Sequence, residues 1–246
     1  MTSGKEDYLK AIYIISESHE LVTNKELSEM LHVSPPSVSE MIAKLQKQGY
    51  VDYTAYKGSR MTKKGRREAG RLMRYHALWE VFLVKCLHFS WSGAHELAEG
   101  LEHQTNEELC SKLDAYLGNP EYCPHGDPIP RVDGSRSGVT SRVLVELEEG
   151  EKTHVRRVME DYNLMDYIQS KGIEIDMPVT VLEKEPYEGP ILLETPKGNT
   201  SLSYKAAQQI FVDDEEEVRK SIIRKIKWEE NGFLVAGDAE NGEDAL

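Results

Sequence analysis

Three helix starts follow one another within the first 35 residues, and they fix what the N-terminal part of the chain can become. Ser3-Gly4-Lys5-Glu6 and Thr23-Asn24-Lys25-Glu26 both fit the capping box, in which hydroxyl and carboxylate each satisfy an otherwise unpaired backbone N–H. Ser34 before Pro35 is a third start, because proline at the first helical position has no N–H to leave unpaired. In that third helix Val38, Met41, Ile42 and Leu45 recur at i, i+3, i+4 and i+7, and Gly49 is a natural stop. Ser37, Ser39, Glu40 and Lys44 keep the opposite face polar. Two short helices joined through His32-Val33-Ser34 are what a helix-turn-helix needs to set side chains into a major groove. Tyr50 to Tyr53 and Ser59 to Thr62, around Tyr56-Lys57-Gly58, read as a β-hairpin wing with a basic tip.

Charge decides whether such a module suits a polyanion. The net charge of −13 argues against it until the chain is divided. Residues 1–75 carry 13 Lys/Arg against 9 Asp/Glu, and residues 41–75 carry ten basic residues against Asp52 and Glu68. Only this N-terminal part suits nucleic acid. No stretch free of charged residues exceeds ten, so no membrane helix is expected. MTSGKEDYLK lacks a signal-peptide core, and three cysteines make no disulfide framework, so a cytoplasmic chain is expected.

A long helix is expected over 63–88, with Leu72, Tyr75, Trp79 and Phe82 as a core or dimer stripe. His76 and Glu80 share one of its faces. The next helix carries His95, Glu99, Glu102 and His103 within an arc of roughly 100°. Carboxylates gathered in this way repel unless a cation neutralises them, which points to a metal ion. A di-iron bundle would need Glu-x-x-His on two helices, and the pair Glu151 and His154 lies in a strand-like segment. G-x-S-x-G, P-loop, G-x-G-x-x-G and H-E-x-x-H patterns are all missing, so the expectation is a binding protein and no enzyme.

Residues 118–141 read as a connecting segment. Short strands are then expected over Arg142 to Leu147, Lys152 to Met159, Val179 to Lys184, Ile191 to Thr195 and Phe211-Val212, with a helix at 163–171. Beyond 213, Val218, Ile222 and Ile226 suggest a short helix, and 230–246 reads as a disordered acidic tail.

The order of Glu6-Asp7-Tyr8-Leu9-Lys10-Ala11-Ile12-Tyr13, Ser34-Pro35-Pro36-Ser37-Val38-Ser39, Met61-Thr62-Lys63-Lys64-Gly65, Glu99-Gly100-Leu101-Glu102-His103 and Cys123-Pro124-His125-Gly126-Asp127-Pro128-Ile129-Pro130 is specific. Over residues 1–213 it resembles the diphtheria toxin repressor and manganese transport regulator family of metal-dependent repressors, in its longer form. The resemblance implies a mainly α chain with a C-terminal all-β domain. The parts would be a winged helix-turn-helix at 1–73, a helical dimerisation and metal-binding domain with linker at 74–141 and an SH3-like small barrel at 142–213; residues 214–246, beyond the resemblance, read as an acidic, partly disordered tail.

Carried over by position, the resemblance implies a primary metal site of Asp7, Glu99, Glu102 and His103. Glu80, Cys123 and His125, joined by His76 and Glu160, with Asp161 as fallback and His95 in reserve, are suggested as a second site. Shorter manganese regulators have Glu where this chain has Lys10, and the lysine opposes the same two-metal arrangement. Oxygen ligands at Asp7 and Glu99, where the iron-responsive branch has sulfur, suit Mn²⁺, with Fe²⁺ and Zn²⁺ as alternatives. A homodimer on an inverted-repeat operator is implied, with Pro35, Pro36, Ser37, Ser39 and Lys44 in the groove and Lys57 and Arg60 on phosphate. The competing readings are an iron-dependent repressor and a winged-helix regulator gated by an organic ligand.

Overall fold

The computed structural model describes residues 2–136 and 142–213, and the expected stripe and tail beyond 213 lie outside them. The chain divides into two compact units. Among the described residues, one comprises 2–136 and 159–170, the other 142–158 and 171–213.

The first unit opens with α1 (Ser3–Ile15), α2 (Asn24–Leu31) and α3 (Pro35–Lys47), followed by the hairpin β1 (Val51–Thr54) and β2 (Gly58–Met61). The expected box at Ser3 does not form: Ser3 is already helical, and Thr2 caps without a side-chain bond. At α2 the box is complete, with Thr23 and Glu26 each serving the other's backbone. Ser34 accepts from the Ser37 N–H ahead of Pro35, as expected. His32, at φ 51°, turns the chain sharply between α2 and α3. Val22 bonds both ways to Ser59, adding a bridge to the wing. Gly58 at φ 123° permits this, since a Cβ there would lie 2.5 Å from the Val22 carbonyl oxygen. Leu9, Ile12, Leu27, Val38, Ile42, Leu45 and Val51 form the core beneath these elements.

The long helix α4 (Lys63–Leu87) leaves this core and continues into a second, where Tyr75, Leu78 and Val81 meet Cys110, Leu113, Cys123 and Ile129. Behind it come α5 (Trp91–Glu102) and α6 (Glu107–Tyr116). Residues 131–136 return to the N-terminal helices. Tyr13 Oη donates to the Gly134 carbonyl at 3.3 Å, and Arg136 pairs with Glu17 at 2.7 Å. Gly70 and Gly134 meet so closely that a Cβ on Gly70 would lie 2.5 Å from the Gly134 Cα.

The second unit is built on a five-stranded antiparallel sheet, in the order β6-β5-β4-β3-β7. Its strands are β3 (Lys152–Val158), β4 (Pro178–Lys184), β5 (Ile191–Thr195), β6 (Gly198–Leu202) and β7 (Ile210–Val212). Val155, Val179, Val181, Ile191, Leu193 and Val212 are the buried positions of the alternating pattern. Residues 142–147, expected as a strand, instead form a 3-10 turn at Leu144–Glu146 with a single bridge from Val143 to Phe211. The short helix α8 (Tyr204–Ala207) follows β6. The remaining helix, α7 (Tyr162–Ser170), belongs to the first unit, not to the domain in which the sequence placed it. It is fastened to α5 there by Ser92 to Asp166 at 2.5 Å and by the Trp91 N–H to Gln169 at 3.1 Å. Among the described residues no helix is long and apolar enough to cross a membrane.

Candidate metal centre and nucleic-acid interface

The helix face that carries His95, Glu99, Glu102 and His103 does not act as one cluster. The turn of α5 that carries His95 points at α4, while its C-terminal end meets α1. The candidate donors consequently fall into three groups, two of which share Glu80.

At the α1 end, Asp7, Glu102 and His103 come together. His103 places Nε2 3.0 Å from Asp7 Oδ1 and 3.8 Å from Glu102 Oε1. Its Nδ1 lies 2.7 Å from Glu6 Oε2, so an Nδ1–H donated to Glu6 leaves the Nε2 lone pair facing Asp7 and Glu102. Sequence reasoning missed Glu6 as that partner, although it stands beside Asp7 in the quoted motif. Asp7 is half-exposed; partial burial and the Glu102 charge raise its pKa, against the pull of His103 and Lys10. Glu99, expected in this set, is placed elsewhere: it is exposed, with its carboxylate 3.7 Å from His95 Nε2.

In the second group His76, Glu80 and His95 are buried and Glu160 is partly so. His76 and Glu80 on α4, His95 on α5 and Glu160 just ahead of α7 bring their ligand atoms within 4.8 Å of one another. His95 Nδ1 lies 2.9 Å from Glu80 Oε1, 2.8 Å from Glu160 Oε1 and 3.0 Å from His76 Nε2. Burial opposes charge on His95, but its bonds to Glu160 and Glu80 outweigh burial and lift its pKa to about 10. Glu160, despite its own burial, is held down to about 2 by His95 and the other imidazoles, and Glu80 is lowered too. His76 Nδ1 bonds Glu102 at 2.5 Å, which turns Nε2 toward Glu80. Of the two candidate acids, Glu160 joins the group while Asp161 caps α7 by accepting the Leu164 N–H at 2.8 Å.

Cys123 and His125 form the third group with Glu80, whose Oε2 is 3.8 Å from His125 Nδ1. A tight loop presents them: Cys123 N–H donates to the Asp127 carbonyl and Gly126 N–H to the Cys123 carbonyl. Burial, with the Glu80 and Asp127 charges, pushes the Cys123 thiol well above its ordinary pKa. The whole arrangement suits divalent cations. Buried carboxylates and imidazoles that now neutralise one another through shared protons are the donors such an ion needs.

In the helix-turn-helix, Pro35, Pro36, Ser37, Ser39 and Lys44 all stand exposed on α3. Ser39 also accepts from Asn24 at 3.1 Å, and Lys44 pairs with Glu40 at 2.7 Å. Lys57 is exposed on the wing, and Arg60 pairs with Glu20 at 3.0 Å. Exposed pairs of this kind are weak and can be exchanged for phosphate. The basic run on α4 is less available than its sequence suggests. Arg74 bonds Asp114 and the Pro130 carbonyl, Arg71 bonds Glu68, and Lys64 bonds the Gln48 carbonyl.

Residues 1–59 match the family described as "Iron dependent repressor, N-terminal DNA binding domain". Residues 62–131 match "Iron dependent repressor, metal binding and dimerisation domain", and residues 142–214 match "FeoA domain". The HTH-type transcriptional regulator MntR of Geobacillus kaustophilus is 37% identical over 112 residues, 46% of this chain and 79% of that one. The chain belongs to the iron-dependent repressor family, that of the diphtheria toxin repressor. Another member, the iron-dependent repressor IdeR of Mycobacterium leprae, is 28% identical over 221 residues, 85% of this chain and 96% of that one. A solved structure of a manganese-dependent transcriptional repressor in complex with manganese matches with a TM-score of 0.75 at 37% identity, over 85% of this chain and 98% of that one. This iron-dependent repressor family member is therefore a metal-dependent, DNA-binding transcriptional repressor with a dimerisation domain and an SH3-like second unit.

Proposed function

We propose that the chain is a Mn²⁺-responsive repressor that binds an inverted-repeat operator as a homodimer and silences metal-uptake genes. One observation carries the reading. Asp7 lies on α1, whose Leu9 and Ile12 share a core with Val38 and Ile42 of α3, whereas Glu102 and His103 lie at the end of α5. An ion held by all three would tie the DNA-binding helices to the α4–α5 pair, and so fix the aim of α3. Such an ion supplies a doubly charged centre for Asp7 and Glu102. Everything else comes from the chain: Glu6 orients His103, Ser37, Ser39 and Lys44 face the groove, and Lys57 and Arg60 reach phosphate. The buried donors His76, Glu80, His95 and Glu160, with Cys123 and His125, are read as the second ion-binding region. The chemistry is binding, not catalysis.

Oxygen-rich donors with one imidazole at the α1 end favour Mn²⁺. Iron is the second reading, supported by the length over which IdeR of M. leprae aligns. Fluorescence anisotropy on DNA from upstream of metal-transporter genes, in chelator, Mn²⁺, anaerobic Fe²⁺ and Zn²⁺, tests both. Binding that appears with Mn²⁺ at concentrations where Fe²⁺ is ineffective supports the proposal. Binding indifferent to chelator defeats it.

A further inference from the structure

Glu102 is buried, and the cation that neutralises it belongs to the chain. Lys10 Nζ lies 3.2 Å from Glu102 Oε1 and 2.9 Å from Oε2, and it is also 3.2 Å from His76 Nδ1. Its side chain is only 12% exposed. With His76 on Oε2 as well, both Glu102 oxygens already accept a hydrogen bond. Lys10 stands one turn beyond Asp7 on the same face of α1, so its ammonium sits where Asp7, Glu102 and His103 border on His76.

The two regions thus meet an incoming ion differently. Around His95 the carboxylates of Glu80 and Glu160 meet imidazoles and no lysine or arginine partner is seen among the described contacts. At Glu102 the compensating charge is an ammonium on a tether, which must share the carboxylate with the ion or swing aside. In a partly buried place a like charge within a few ångströms is costly.

We infer that Lys10 is a resident counter-cation: it holds α1 to Glu102 before metal arrives, and its positive charge sets how much divalent ion the Asp7–Glu102–His103 group needs. This rests on the proposed role of that group as an ion site. It gives Lys10 a paired signature. Removing its charge should loosen the metal-free protein while tightening ion binding, whereas a lysine that merely supports the fold would weaken both.

Mn²⁺ binding to the full chain, followed by electron paramagnetic resonance of the free ion and by thermal melting with and without Mn²⁺, reads both halves. Lys10→Met and Lys10→Gln are expected to bind Mn²⁺ about tenfold tighter or more at this group. They should melt lower without metal and show a larger rise in Tm when Mn²⁺ is added. Lys10→Arg, which keeps the charge, should stay within about threefold of the parent and supplies the comparison if the neutral variants fold poorly. The tightening should vanish in Asp7→Ala/Lys10→Met. Unchanged or weaker binding in the neutral variants, with Asp7→Ala still costing an ion, would overturn the role of Lys10. If Asp7→Ala costs no ion, the ligand assignment itself fails and the inference falls with it.

Discussion

The donor groups on either side of His76 differ in their burial, their supporting elements and their counter-charge. At the α1 end three ligands come from two elements, Asp7 is half-exposed, and an internal ammonium already occupies the carboxylate. Around Glu80 the donors come from α4, α5, the 123–125 loop and Glu160 between β3 and α7, and Glu80, His76, Cys123 and His125 are all buried. The difference separates two tasks. A group held by many elements suits a fixed, structural ion, whereas a group that joins α1 to the end of α5 through a half-exposed Asp7 suits an ion that comes and goes.

Glu80 offers the most damaging way to break the contrast, because both buried groups depend on it. Glu80→Gln should lower ion affinity in that region on the order of 100-fold, read by calorimetry and by metal content after dialysis; full retention would show that the groups do not share an ion-binding carboxylate. Asp7→Ala should weaken ion-dependent operator binding about tenfold or more while the buried region keeps its ion. Operator binding that still responds fully to Mn²⁺ would place the switch elsewhere.

Acidity separates the regions more gently. With His95 raised to about 10, ion binding beside it must release a proton at neutral pH, so affinity there should rise as pH is raised toward that value. Without metal the sign is opposite. The folded value lies above the unfolded one, so the stability contributed by this proton is complete below roughly 6.5 and is lost as pH rises through about 10. Calorimetry in buffers of different ionisation enthalpy counts the released protons, and a count of zero would refute the protonated starting state. The smallest effect is expected from Glu99→Ala, about threefold or less in Mn²⁺ affinity, since an exposed carboxylate contributes little. A loss as large as that of Asp7→Ala would return Glu99 to the primary group.

Helix starts with local chemistry were readable in the sequence: Thr23–Glu26 and Ser34–Pro35 depend on neighbours three residues apart, and both form as expected. The Ser3 box was not, because Thr2 can open the same helix one residue sooner. Spacing placed His95, Glu99, Glu102 and His103 on one face, but nothing in a spacing tells which elements pack against each turn of that face. The division of the face between α1 and α4 is a tertiary fact. So is the burial of His76 and Glu80, whose i, i+4 spacing alone resembles an ordinary surface pair. Residues 142–147 have a strand composition, yet they bridge through Val143 alone.

The first unit is assembled from two stretches of chain, and the later one, 159–170, brings Glu160. A ribosome makes the helix-turn-helix first and supplies the fourth member of the buried group only after it has passed through β3. A message truncated at residue 136 would therefore encode the DNA-reading helices with that group unfinished. A chain must extend through α7 before this donor group is complete.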